Sequence, residues 1–254
     1  MDPTKAAVAS GVVALAVGTG YGVSTLFNNV MPDYSARQKP DPSDGKYVSN
    51  YPDYFVNADD NSNDPWWDWV YKERYQLDVS LSSPIKPIAK FESLKSGFEI
   101  KGICKSSYAE NASGGKIKQE ISAGGDGKNE YLEANVWRYC TAVNKKPTDI
   151  PDAGSTESYN SGTYGAENKG KLAAINDVSN DSFWKEQQRL FFKGSGGRSG
   201  SQTTEENVFK NLWDTKKGNL KDTCKLAYET TKKENDTNFK KDLFKFCSLK
   251  GTES

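Results

Sequence analysis

Four cysteines carry the clearest chemistry in this sequence: Cys104, Cys140, Cys224 and Cys247. A zinc site made of four thiolates uses close pairs such as C-x2-C, whereas successive cysteines here lie 36, 84 and 23 residues apart. We therefore expect disulfides and no metal site, with four buried free thiols as the alternative. Four cysteines allow three pairings. The local pairing, Cys104–Cys140 with Cys224–Cys247, is favoured because each bridge would join two helices of the same half.

The other reactive patterns are incomplete. The chain has no histidine, which excludes Ser-His-Asp and Cys-His catalysis and histidine-bound metals. Residues 59–64 begin like a calcium-binding loop, but Asp64 stands where glycine is needed and Val70 where glutamate is needed. Adjacent Glu205 and Glu206 would point about 100° apart on a helix. The glycine-rich stretch 194–200 lacks the Lys-Ser/Thr ending of a phosphate-binding loop. The sequence thus predicts no catalytic residue and no cofactor site.

Charge and aromatic content narrow the range of partners. Basic and acidic side chains each number 34, so the formal net charge of zero gives no basic footprint for nucleic acid. Trp66, Trp67 and Trp69 form the densest aromatic group, and Trp67 recurs in the second half as Trp184, which favours a core position for it. Trp66 should point in a different direction from its neighbour, and it is the candidate for a surface contact.

The beginning of the chain has the composition of a membrane anchor. No charged residue occurs between Lys5 and Asp33, and residues 6–27 are mostly Ala, Val, Gly and Leu. As a helix this stretch would extend about 33 Å, enough to cross a bilayer core of roughly 30 Å. Lys5 and the amino terminus predict a single-pass anchor, 1–27, with the rest of the chain outside. A signal peptide cleaved after Ala16 and a buried soluble helix are the alternatives.

Two ranges are predicted to be flexible. In 28–62, prolines alternate with Asp, Ser and Asn without a helical apolar period, which predicts a disordered stalk. Its aromatic side chains either pack back on the folded body or lie at the membrane surface: Tyr47, Tyr51, Tyr54 and Phe55. The range 144–179 is rich in Gly, Ser, Asn and Pro, and is predicted to link two halves.

The remaining chain contains an internal repeat. Three blocks recur in the same order, and each keeps its aromatic or cysteine positions. The paired blocks are 63–67 with 180–184, 100–108 with 220–228, and 136–141 with 243–248. Apolar side chains at helical spacing run through both halves, whereas strand signals are scarce. We expect a mainly α fold of two duplicated small helical units, 63–143 and 180–254, each with a disulfide and with few contacts between them.

Polar residues mark helix starts in the second unit. Thr203 with Glu206 forms a capping-box pair ahead of Val208. Asn219 fits the N-cap of the following helix. The sequence therefore predicts one helix that begins after Thr203 and another that begins after Asn219.

Three features carry a resemblance to a known group of proteins. They are the run 5–11 that leads into a Gly/Ala-rich anchor, Cys104-Lys105 with Tyr108, and the block 137–140, together with 29 lysines against five arginines. With them the chain resembles the paralogous families of membrane-anchored surface proteins of haemotropic mycoplasmas, cell-wall-less bacteria that live on red blood cells. The resemblance covers most of the chain and implies a surface-exposed protein engaged in host contact or antigenic variation. It assigns no functional residues and implies no catalytic activity.

We therefore predict a non-catalytic, membrane-anchored extracellular protein that acts as a binding module or as an antigenically variable decoy. Its expected partners are the membrane and a host protein or cell-surface ligand, without nucleic acid or cofactor, and no oligomeric state is predicted. The alternatives are an exported hydrolase that uses carboxylates and a purely structural coat protein.

Overall fold

Helices dominate the secondary structure of this chain. The structure, a computed structural model, describes residues 30–37, 44–51, 53–80, 83–121, 125–151, 157–203, 205–233 and 236–253. Met31–Ser254 form one compact unit. The predicted anchor, 6–27, lies outside the described residues. Within the described ranges, no helix combines the length and the apolar character that crossing a bilayer would need.

The helices fall into two sets. In the first half, residues 31–143, they are α1 (Asp64–Val70), α2 (Gln76–Ser80), α3 (Gly97–Tyr108) and α4 (Glu133–Cys140), with a π-helical segment, Tyr71–Tyr75, between α1 and α2. In the second half, residues 144–253, they are α5 (Tyr164–Glu167), α6 (Asp181–Phe192), α7 (Val208–Thr215), α8 (Leu220–Glu229) and α9 (Thr237–Cys247). Two short parallel strands, β1 (Ile117–Lys118) and β2 (Tyr131–Leu132), pair in the first half. The predicted mainly α fold is confirmed.

Side-chain caps fix where several helices begin. At the start of α8 the Asn219 side chain accepts a hydrogen bond from the backbone N–H of Asp222 at 2.8 Å, as predicted. The capping box predicted at Thr203 is wrong, because α7 begins only at Val208. Its cap is Asn207, which lies directly before the apolar run and accepts the first backbone N–H groups of the helix.

Both local disulfides are present and buried. Cys104 on α3 pairs with Cys140 on α4 across a Cα–Cα distance of 5.5 Å. Cys224 on α8 pairs with Cys247 on α9 across 5.8 Å. Each bridge joins two helices of one half, so the predicted pairing is confirmed. In the chain-entropy model a bridge that closes loops of this size contributes about 3–4 kcal/mol.

A tyrosine makes the same contacts beside each disulfide. In the first half the hydroxyl of Tyr108 donates to the carbonyl oxygens of Val56 at 2.8 Å and of Cys140 at 3.3 Å. In the second half Tyr228 donates to the two corresponding carbonyls, at 2.9 and 3.0 Å. Each tyrosine thus ties an extended segment to the end of the last helix of its half.

A buried arginine closes the last helix of each half. The guanidinium of Arg74 donates to three carbonyl oxygens at the end of α4, at 2.7, 2.9 and 3.1 Å: Thr141, Arg138 and Ala142. Arg198 donates to the three corresponding carbonyls at the end of α9, at 2.7, 2.8 and 2.8 Å. The two arginines are 4% and 2% exposed, so they satisfy helix-end carbonyls that water does not reach.

A buried asparagine directly before α1, and another directly before α6, each hold an extended segment. Asn63 accepts from the backbone N–H of Ser35 at 2.8 Å and donates to the Ser35 carbonyl at 3.0 Å. Asn180 makes both bonds to Thr148, at 2.9 Å each. The recurring contacts therefore begin near residues 35 and 148, ahead of the predicted unit boundaries at 63 and 180.

The described residues of 28–62 do not form a disordered stalk, and that prediction is wrong for them. Tyr54 and Val56 are fully buried, and the backbone N–H of Val56 donates to the carbonyl of Cys140 at 3.1 Å. Of the two alternatives for the aromatic side chains of this range, the structure shows packing on the body. The prediction of disorder came from the prolines and polar residues. It is wrong because the aromatic rings between them bury enough apolar area to keep the segment folded on the body.

The described residues of 144–179 do not form a linker either. Ile150, Leu172 and Ala173 are fully buried, and Tyr164 is nearly so. The backbone N–H of Ala173 donates to the carbonyl of Cys247 at 2.9 Å. This range packs on α8 and α9 because the short apolar run 172–175 and the separate Ile150 and Tyr164 meet the same core.

The two halves share one hydrophobic core, so the expectation of few contacts between them is wrong. The ring of Tyr54 lies 5.9 Å from that of Phe183 on α6, and its hydroxyl accepts a hydrogen bond from Gln187. Asp53 forms an ion pair with Arg198 at 3.1 Å. The first-half partners of these contacts lie in the range predicted as a stalk, which is why the recurring sequence blocks gave no sign of the interface.

Candidate functional site

Trp66, the predicted surface contact, is fully buried, and that prediction is wrong. Its ring packs edge-to-face on Trp67 with 4.7 Å between centroids, and the ring of Tyr34 lies 6.1 Å away. Tyr34 is held there by a hydrogen bond from its hydroxyl to the buried carboxylate of Glu186 on α6. Trp66 is therefore covered by residues of the range that composition predicted to be disordered.

A cleft of about 560 Å³ in the first half is the best candidate for a binding site in the part of the chain that the structure describes. We call it the tyrosine cleft. Its lining combines aromatic, aliphatic and polar side chains from two walls: Tyr71, Tyr75, Gln76, Val79, Lys86, Pro87, Glu92, Ser93 and Leu94. A site of this size suits a small molecule or a short segment of a larger partner.

The near wall is the π-helical turn Tyr71–Tyr75 with the start of α2. Turns of this kind are rare and recur at functional sites. This one stacks the rings of Tyr71 and Tyr75, 5.7 Å apart and 17° from parallel. Tyr75 is the buried member of this pair, whereas Tyr71 is half-buried and presents ring surface for contact.

The far wall is tied to the near wall by hydrogen bonds. The hydroxyl of Tyr75 donates to the carbonyl of Phe91 at 2.9 Å and accepts from the backbone N–H of Leu94 at 2.7 Å. The buried side chain of Asn135, on α4, donates to the carbonyl of Lys86 at 2.9 Å. Both walls are therefore fixed by the fold itself.

Two residues of the segment 86–94, which supplies the far wall, have left-handed backbone conformations: Ser93 lines the cleft, and Ala89 lies between its lining residues. Ala89 has φ 54° and Ser93 has φ 61°, values that residues with a Cβ rarely adopt. Such conformations persist only where the surroundings impose them, and they cluster at ligand sites. The hydrogen bonds of Tyr75 to this wall supply that constraint.

The chemistry of the tyrosine cleft is that of a binding site. Burial raises the pKa of the Tyr75 hydroxyl, so it stays neutral and can donate and accept at the same time. Gln76, Lys86 and Glu92 are exposed polar groups at its edge. An apolar floor with a few polar groups at the rim both holds and orients a ligand. Among the described lining residues Glu92 is the single carboxylate.

Carboxylates converge at another cleft, of about 440 Å³, in the second half. Asp149, Glu157 and Asp177 all line it. Burial raises the pKa of Asp149 to about 6. Hydrogen bonds, first of all from the Thr148 hydroxyl, lower the pKa of Asp177. Two carboxyls whose pKa values are pushed apart can divide acid and base roles.

Two of these three acids have evident structural roles. Glu157 accepts two backbone N–H groups, at 3.0 and 2.8 Å. Asp177 accepts a hydroxyl hydrogen bond at 2.6 Å, as Asp60 does from Ser35 in the first half. Asp149 differs, because its Oδ1 is buried without a hydrogen-bond partner in the described part of the chain. Within the same residues, no group of three or more His, Cys, Asp or Glu side chains is placed to hold a metal ion.

Sequence reasoning missed the tyrosine cleft. The spacing of Tyr71 and Tyr75 puts both rings on one side of a helix, and that was the available signal. The position of the far wall depends on the hydrogen bond from Asn135 to Lys86, which lies 49 residues earlier in the sequence. No local sequence pattern predicts a contact over that separation.

Comparison with known proteins adds no relative. No protein-family model, no curated protein and no solved structure matches this chain.

Proposed function

We propose that this chain is a non-catalytic, membrane-anchored protein of the extracellular surface, and that it binds a host protein or cell-surface ligand through the tyrosine cleft. The observation that supports this proposal is the fixed geometry of the cleft. Its walls are held by Tyr75 and Asn135, and the half-buried ring of Tyr71 is available for contact. A site that is fixed before binding loses little conformational entropy when the ligand arrives.

The same proposal includes the anchor and the duplication. Residues 6–27 cross the membrane once, and residues 31–254 lie outside, where an oxidising environment suits two disulfides. The two halves derive from one duplicated unit. The recurring hydrogen bonds of the tyrosine, arginine and asparagine pairs support this origin, because shared composition would not reproduce them atom by atom.

Replacing Tyr71 by Ser is expected to weaken binding to red blood cells by about tenfold or more, because aromatic anchors carry much of the energy of a contact. The measurement is co-sedimentation of red blood cells with lipid vesicles that carry the full chain. Phe98→Ser is the matched control, because Phe98 is an 80% exposed aromatic on α3 outside the cleft lining. Equal binding by wild type and Tyr71→Ser, or an equal loss in both variants, would count against the proposal.

The topology has its own test. Protease added to intact cells is expected to remove a C-terminal epitope and to leave a membrane fragment that contains residues 6–27, because the uncharged run stays in the bilayer. Western blotting of the membrane fraction with tags at both ends measures this. A protected C-terminus, or a mature chain that begins at Val17, contradicts the uncleaved anchor.

An exported hydrolase that uses carboxylates is the second candidate function, and Asp149 is the observation that favours it. A carboxyl with a pKa of about 6 in a cleft is suited to general acid catalysis near neutral pH. Hydrolysis of glycoside or ester substrates that disappears in Asp149→Asn would establish this function. A structural coat protein, the third reading, would bind red blood cells no better than empty vesicles.

A further inference from the structure

A second cleft in the second half is lined by charged groups that the tyrosine cleft does not involve. It encloses about 600 Å³ between α9, the segment 197–202 and the residues 251–253, and we call it the lysine cleft. Lys240, Lys241 and Lys245 line it from α9. Lys241 and Lys245 lie one helical turn apart and therefore on the same face.

The first half provides an internal comparison for Lys245. Lys245 and Arg138 both lie two residues before a disulfide cysteine, and the backbone carbonyl of each accepts a hydrogen bond from the buried arginine of its half. Arg138 forms a two-point ion pair with the buried carboxylate of Asp78, at 2.7 and 3.1 Å. Lys245 instead donates to the amide oxygen of Gln202 at 2.7 Å. A neutral amide thus stands where the first half has a carboxylate.

The two carboxylates that line the lysine cleft pair with groups other than Lys241 and Lys245. Glu253 pairs with Lys240 at 2.5 Å. Asp242 accepts from the side-chain amide of Asn207 at 2.9 Å, and burial raises its pKa, which weakens it as a counter-charge. Among the described residues, no carboxylate oxygen lies within 4 Å of the ammonium groups of Lys241 or Lys245.

The solvation of the two lysines also favours the binding of an anion. Burial of the half-buried Lys245 lowers the pKa of its ammonium, and no carboxylate of the described residues lies within ion-pair distance to oppose that shift directly. The side chain of Lys241 is exposed, so a ligand can reach its ammonium group from solvent. An anionic group would supply the missing counter-charge and form charge-assisted hydrogen bonds with both ammonium groups.

We propose that the lysine cleft binds an oxyanion, the carboxylate, sulfate or phosphate group of a small ligand, between the ammonium groups of Lys241 and Lys245. The site is separate from the tyrosine cleft and does not depend on its function. The amide of Gln202 keeps Lys245 in place without neutralising it.

The experiment uses sulfate as the probe and the full chain in a zwitterionic detergent. Titration at constant ionic strength is followed by the NMR shifts of the backbone amides of Lys241 and Lys245 and of the Gln202 side-chain amide. We expect saturable shifts at these groups. Lys245→Gln should weaken sulfate binding by about tenfold or more, the size expected for a lost hydrogen bond to a charged group. Lys225→Gln removes an exposed lysine from α8 and should leave the affinity unchanged.

Gln202→Glu gives the sharper test, because it restores the carboxylate that the first half already has. The new ion pair with Lys245 should weaken sulfate binding by a similar factor. The variant also loses the hydrogen bond from the Gln202 amide to the carbonyl of Gly196, at 2.7 Å. Its melting temperature is therefore measured beside the wild type, and binding is compared at a temperature where both chains are folded. Undiminished binding in Gln202→Glu, equal losses in the Lys225 and Lys245 variants, or shifts that never saturate would overturn the proposal.

Discussion

Removing one disulfide is expected to destabilise both halves of this chain together. Replacing Cys224 and Cys247 by Ser should lower the free energy of unfolding by about 2–5 kcal/mol, the usual cost of losing a native bridge. The loss should reach the first half, because Tyr54 packs on Phe183 and bonds Gln187 in a core that both halves share. Two independent units would have confined the damage to the second half.

Hydrogen exchange separates these outcomes. The backbone amides of α3, in the first half, and of α8, in the second, should lose protection by similar factors in the double serine variant, because the two helices unfold in one transition. Ser106→Ala, on the exposed side of α3, is the control and should leave both sets of amides protected. Full protection of α3 beside an unprotected α8 would mean that the shared core does not couple the halves.

Replacing Arg74 by Met should destabilise the chain by about 3–5 kcal/mol, because three buried carbonyl oxygens at the end of α4 lose their donors at once. The guanidinium also lies 4.9 Å from the centre of the Trp69 ring, so its removal costs packing as well. Arg198→Met should have an effect of similar size at the end of α9, where it additionally leaves Asp53 without its ion pair.

Urea unfolding curves of the full chain measure both effects. The matched control is Lys105→Met, which removes a cation from an ion pair with Asp59 whose side chains are 62% and 69% exposed. That change should cost less than about 1 kcal/mol, as surface pairs usually do. A loss for Arg74→Met no greater than that of the control would show that water, and not arginine, satisfies the helix end.

What the sequence could predict follows from the range of the interactions involved. The helix that starts at Asn219 and the two disulfides depend on residues close in sequence or on a pattern that occurs twice. The buried arginines are different: Arg74 extends from a helix ten residues after Asp64, whereas Arg198 comes from a loop 17 residues after Asp181. Both halves have an arginine that donates to the carbonyl oxygens at the end of the last helix, but the arginine occupies a different sequence position in each half. The recurring sequence blocks therefore could not predict this contact.

The tyrosine cleft and the cover over Trp66 were beyond prediction for a related reason. Residues 31–37 have no apolar period of their own, and Tyr34 becomes part of the core only because α6 presents Glu186 and the Trp66 ring lies beside it. A prediction from composition considers each segment by itself. It therefore assigns disorder to residues 31–37, which are stabilised by contacts with distant parts of the chain.

The hydrogen bond between Tyr34 and Glu186 spans 152 residues, and this sets an order of events during synthesis. Residues 31–37 leave the ribosome among the first of the compact unit, but Glu186 on α6 follows roughly 8 to 30 s later at elongation rates of about 5–20 residues per second. During that interval Trp66 lacks its cover and Tyr54 lacks Phe183. A chain cut short before α6 would thus display its aromatic core to chaperones and proteases, so quality control can recognise an unfinished molecule by the rings that a finished one hides.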